Sequence, residues 1–144
     1  MADTQVQDYV AQMAAAQQQV LDALTDLERS DMRFKTEQWR WNTVRRVLLR
    51  FGDHVREHTT QLIEAREAAG AAQTMPQRIL AQAMEAYGYW MGAMVGLCDE
   101  DLDKSPAPGE WTPRQVLEHV ISSQIGYLET IRNAQETREV VEKD

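Results

Sequence analysis

Asn42-Thr43-Val44-Arg45-Arg46-Val47-Leu48-Leu49-Arg50-Phe51-Gly52-Asp53-His54-Val55-Arg56-Glu57-His58 decides how the chain is read. Asn42 or Thr43 can cap a helix, because either side chain can accept from a free amide of the first turn. Apolar residues then recur at threes and fours: Val44, Val47, Phe51, Val55, and further on Leu62 and Ala65. That spacing is one face of an amphipathic helix. Arg45, Arg46, Arg56, Glu57, Glu64 and Glu67 take the outer face, and Gly70 marks the end. His54 and His58 are four residues apart, so they stand one above the other on one side of the helix. At about 100° per residue they fall within the apolar stripe, pointing into a bundle.

Toward the N-terminus, residues 5–29 read as another helix. Val6, Val10, Met13, Val20, Leu24 and Leu27 form its stripe, and Gln17 fills the one gap. Ser30-Asp31 ends it, and a connector over 31–41 carries Phe34, Trp39 and Trp41. Toward the C-terminus, Thr74-Met75-Pro76-Gln77 combines a capping Thr, a first-turn Pro and Gln at the capping-box position. The helix it starts is expected to run to about Cys98, with Leu80, Met84, Tyr87, Met91 and Met94 along it. Gly88, Gly92 and Gly96 follow at spacings of four. Each glycine weakens a helix by roughly 1 kcal/mol relative to Ala, which calls for close approach of a neighbouring helix, in the same chain or another. Thr112-Pro113-Arg114-Gln115 repeats the start signal. The last helix carries Val116, Val120, Tyr127, Leu128 and Ile131, and the chain is expected to fray over 136–144 and at its first few residues.

Four amphipathic helices joined by short connectors predict an all-α four-helix bundle, a single domain over 1–144. The two halves also resemble one another. Trp41 and Trp111 are 70 residues apart, as are Asp31 and Asp101. After a one-residue slip, Thr43–Arg50 aligns with Thr112–His119. An internal pseudo-twofold repeat is expected, with the second and fourth helices as equivalent partners.

Composition narrows the function. Lys and Arg total 15 against 23 Asp and Glu, a net charge of −8. Such a chain repels phosphate backbones and anionic membrane surfaces, and no basic cluster stands out in the sequence, so no nucleic-acid or membrane partner is expected. Met1-Ala2-Asp3-Thr4-Gln5 has neither a basic nor an apolar leader segment. The longest apolar stretch, Tyr87 to Cys98, is well short of a bilayer span of about 20 residues. A cytoplasmic protein is expected. The lone cysteine, Cys98, reads as a small buried hydrophobe, and Trp39, Trp41, Trp90 and Trp111 read as core anchors.

Trp111-Thr112-Pro113-Arg114-Gln115-Val116-Leu117-Glu118-His119-Val120, preceded by Asp101-Leu102-Asp103-Lys104 and Pro108-Gly109-Glu110, resembles the DinB/YfiT-like proteins. His54-x-x-x-His58 resembles the other part of their metal triad. The resemblance implies a four-helix bundle, often dimeric, with a divalent metal, commonly nickel or zinc, on three histidines: here His54, His58 and His119. It also implies a small-molecule substrate and kinship with transferases and isomerases that use a low-molecular-weight thiol such as mycothiol or bacillithiol. In the family the single histidine comes in the second helix and the pair in the fourth; here the order is reversed, which a pseudo-twofold would accommodate.

Three neutral imidazoles suit a borderline ion such as Zn²⁺ or Ni²⁺ and leave positions open for water or substrate. Glu57, Glu118 and Tyr127 are the candidates for holding the ring N–H groups. Glu57 is no peptidase-type base, because that chemistry needs Glu directly after the first His, where Val55 stands. His119 sits at the edge of its helix's stripe, with Ser123 and Gly126 beside it. A metal-dependent enzyme, a non-catalytic helical binding or assembly protein, and a relative that has lost its metal are the three functional classes left.

Overall fold

The computed structural model describes residues 4–141. The first three and last three residues, part of the segments expected to fray, lie outside that range. All regular structure is helical: α1 (Thr4–Leu24), α2 (Val44–Ala68), α3 (Met75–Ala93) and α4 (Pro113–Thr137). A short 3₁₀ turn precedes α2 at Asp31–Arg33, and another precedes α4 at Asp99–Asp101. Four α-helices and no strand among the described residues match the all-α expectation. The chain divides into two units, Met1–Gly96 and Leu97–Asp144.

The helix starts form as their sequences dictate. Thr43, Thr74 and Thr112 all cap in extended backbone, each accepting from the amide three residues on. At Thr74 and Thr112 the box is complete. Gln77 Oε1 accepts from the Thr74 amide, and Gln115 Oε1 from the Thr112 amide, both at 2.9 Å. Pro76 and Pro113 sit in the first turns, where their missing N–H costs nothing.

The helix ends fall earlier than the stripes suggest. α1 stops at Leu24, so Leu27 lies outside it. The Thr25 hydroxyl donates to the Leu21 carbonyl at 2.6 Å, competing with the backbone ladder. The Asp31 carboxylate then accepts the Glu28 amide at 2.9 Å and secures the turn. α3 stops at Ala93 because Gly96 adopts φ +81°, a left-handed conformation that ends a helix readily only at glycine. Cys98 therefore leads the second 3₁₀ turn and is exposed, not buried as expected. Its Sγ donates to Asp101 Oδ2 at 3.0 Å.

The predicted stripes are present, and in unit 1 they face a common space. Met13, Gln17 and Val20 of α1, Phe51 and Val55 of α2, and Gly88 of α3 all line an open cleft of about 660 Å³. The helices border this cleft without closing it, and none of the described residues is buried. Val10, Leu62 and Met84 are each more than 60% exposed. Burying one such side chain stabilises by about 1.5–3 kcal/mol. Gly88 and Gly92 have nothing within 4 Å of where a Cβ would sit, so no neighbour in unit 1 makes the close approach that their spacing predicts.

In unit 2 the connector is tied to the start of α4. The Arg114 guanidinium grips Asp103 through two hydrogen bonds of 2.7 and 2.9 Å, and its amide donates to the Leu102 carbonyl at 2.9 Å. Arg114 holds the Asp103 carboxyl below the usual carboxylate range. Asp101 is lowered in the same way, first by its hydrogen bond from Lys104 and then by that from Cys98.

Candidate metal centre

His54 and His58 project from the middle of α2, where the Thr43 cap and the first-turn bonds have already set the helix. Their rings meet edge to face, with centroids 4.4 Å apart at 77°. The two Nε2 atoms are 3.1 Å apart. Such a separation admits one proton between them, since two N–H donors would otherwise point at each other. It is also close to the spacing of two nitrogens on one tetrahedral ion, roughly 3.3 Å for metal–nitrogen bonds near 2.05 Å.

The other nitrogen of His58 is engaged. Nδ1 lies 2.7 Å from Gln61 Oε1, an acceptor one helical turn on. An amide oxygen can only accept, so with Gln61 Oε1 as its partner His58 carries its proton on Nδ1 and turns its Nε2 lone pair toward His54 Nε2. The sequence offers Glu57, Glu118 and Tyr127 for this role; in unit 1 the partner is Gln61. Its signal was the i, i+3 spacing from His58 on the same helix face, which is legible once side-chain amides are counted with carboxylates. Glu57 turns instead to Arg50, whose guanidinium donates to it at 2.8 Å. That hydrogen bond, and then the Arg50 charge, hold the Glu57 carboxyl below the usual range.

A small pocket of about 310 Å³ opens beside His54, lined by Gln38, Trp41, Val47, Arg50 and Phe51. The connector places Trp41 there. The Val44 amide donates to the Phe34 carbonyl at 3.0 Å, Lys35 bridges to Thr43, and the Thr36 hydroxyl donates to the Trp41 carbonyl at 2.5 Å. Trp41 is half-buried, with the Arg50 guanidinium 5.3 Å from its ring centroid. Its role as a pocket wall is more specific than that of a core anchor. Trp39, by contrast, is 86% exposed and anchors nothing within the described residues. Neither Trp41 nor Arg50 was legible as a site residue, because both come to His54 through the fold of the 31–43 connector.

His119 belongs to unit 2. Its ring packs edge to face on Trp111, centroids 5.0 Å apart at 66°, and its carbonyl accepts the Ser122 hydroxyl at 3.0 Å. No hydrogen bond joins the His119 ring to Glu118 or Tyr127 among the described residues. The structure thus brings His54 and His58 together in unit 1 and sets His119 against Trp111 in unit 2. Among the described residues of either unit, no group of three or more His, Cys, Asp or Glu side chains is gathered as a metal site.

The helix-start pattern and His119 both lie in the stretch that matches a known family model, that of the DinB superfamily, over residues 82–143. His54 and His58 precede the matched stretch. No curated protein matches the chain, and no solved structure does. None of the helices over the described residues is long and apolar enough to cross a membrane.

As a partial donor set, His54 and His58 fit a divalent ion. Both present Nε2 on one side at near-ligand spacing, one tautomer is already set by Gln61, and imidazole suits zinc and nickel.

Proposed function

We propose that this DinB-type chain binds one divalent ion, zinc or nickel, through His54, His58 and His119. The reaction we assign to it is the transfer or isomerisation of a small-molecule substrate with a low-molecular-weight thiol as co-substrate. The observation that carries the metal assignment is the 3.1 Å approach of the two Nε2 atoms on α2. The thiol chemistry rests on the family resemblance. When bound, the ion would supply Lewis acidity at its open positions. The chain's own residues do the rest. Gln61 holds His58 in the ligating tautomer. Trp41, Val47 and Phe51 form an apolar wall beside His54, which excludes water from one side of a bound molecule. Arg50, steadied between Trp41 and Glu57, sets a positive charge at the same pocket, suited to a substrate carboxylate.

Metal analysis of protein purified without an affinity tag tests this directly. About one ion per chain is expected, lost in His54→Ala, His58→Ala and His119→Ala alike. A metal-free protein that keeps full stability after His58→Ala would overturn it. A second reading, a non-catalytic helical assembly protein acting as a homodimer, draws on the open apolar cleft of unit 1. It predicts a dimer in sedimentation equilibrium whose stability is indifferent to chelators.

A further inference from the structure

The sequence shows no basic cluster, yet the fold of unit 1 builds one. Arg29 and Arg33 come from the turn after α1, Arg45 and Arg46 from the first turn of α2. All four line one open cleft, with Ser30, Met32 and Thr43 completing it. The cleft measures about 890 Å³ and no carboxylate lines it. In a chain with 23 acidic residues this is a pronounced local inversion of charge. Among the described residues the ion pairs are made by Arg50, Arg56, Lys104 and Arg114, and none by these four arginines. Arg46 is steadied by Asn42 Oδ1 at 3.0 Å. The N-terminal end of α2 opens at the same place, and its backbone dipole adds to the positive field.

We infer that this cleft is a binding site for a small-molecule polyanion bearing two or more phosphate groups. Four guanidinium forks match tetrahedral oxyanions through paired hydrogen bonds. A single phosphate, carrying about −2 at most, would leave about half of that charge unanswered. The volume lies in the range of small-molecule sites, about 300–1,000 Å³. The Ser30 and Thr43 hydroxyls add neutral donors at the rim. The site is separate from the histidine pair: Thr43 and His54 are eleven residues apart on α2, about 16 Å at 1.5 Å per residue.

Calorimetric titration of the full chain with inorganic tripolyphosphate tests the inference, in chelator so that no bound metal contributes. Saturable binding is expected, weakening steeply with salt. The double variant Arg29→Gln/Arg45→Gln, checked for unchanged helicity by circular dichroism, should bind at least about tenfold more weakly. Arg78→Gln, which removes one positive charge outside the cleft lining, should leave the affinity unchanged, and so should His58→Ala. Absence of binding overturns the inference, as does equal binding by the double variant. Tighter binding of citrate would replace phosphate by polycarboxylate as the ligand chemistry and overturn the assignment made here. Binding of an RNA oligonucleotide without binding of tripolyphosphate would overturn it in favour of a nucleic-acid surface.

Discussion

The starts of α2 and α4 use the same capping residue and hold their place by different means. Thr112 closes a full box with Gln115 and is followed by Pro113, and Arg114 adds a tie back to Leu102 and Asp103 of the preceding connector. Thr43 accepts from the Arg46 amide, but position three of α2 is Arg rather than Gln, and no box forms. The Arg46 side chain turns back to Asn42 instead, and the connector supplies the rest through the Phe34–Val44 bond and the Lys35–Thr43 bridge. α4 gains a start closed by its own box, with the connector as a second hold. α2 gains a start that depends on the 31–43 connector, and that dependence is what assembles the Trp41 pocket and the arginine cleft.

The contrast can be broken most forcefully at the histidines. His54→Ala should abolish metal retention, whereas Gln61→Ala should leave the ion bound with an affinity lower by about 10–100-fold, measured by competition with a chelator dye. Unchanged affinity in Gln61→Ala would separate the Nδ1 hydrogen bond from metal binding. Thr112→Ala should cost about 1–2 kcal/mol in denaturant unfolding, because the Gln115 amide loses its Oγ1 acceptor and the box is left half-made. Thr43→Ala should cost less, about 0.5–1 kcal/mol, since no box is broken there. The reverse order would mean that the box contributes little. Gly88→Ala should stabilise α3 by roughly 0.5–1 kcal/mol, because a Cβ there meets nothing. A loss of stability would instead reveal a neighbouring helix lying against that face.

The smallest effect is electrostatic. The folded Asp103 carboxyl titrates below its ordinary value of 3.8, held down by Arg114. Its contribution to stability is therefore full above that value and disappears as pH falls through the lower, folded value. Acid unfolding of Arg114→Ala should lack this component. Carboxyl titration by NMR should return residue 103 toward the ordinary range in that variant.

Much of the fold was legible because it is written at short range. The three capping threonines, the two first-turn prolines and Gly70 need only their immediate neighbours to act, and each sits where its spacing predicts. The stripe over Met13, Gln17 and Val20, with Phe51 and Val55, foretold the faces that line the cleft, since side-chain direction on a helix follows from its period alone. Hydrophobic period proved a poor guide to where a helix stops. Leu27 and Cys98 continue the stripes of α1 and α3 beyond the points where Thr25 and Gly96 end them. Both halves also run helix, 3₁₀ turn, connector and Thr-capped helix, a likeness of element order.

The chain's own order of residues determined its helices, its capped starts and the pairing of His54 with His58, because all of these are contacts within about four residues. Only the tertiary structure decided that Trp41 and Arg50 wall the pocket beside His54, and that Arg29, Arg33, Arg45 and Arg46 share one cleft. Those groupings arise from how a connector folds back on the helix it precedes, and no periodicity along the chain encodes that return.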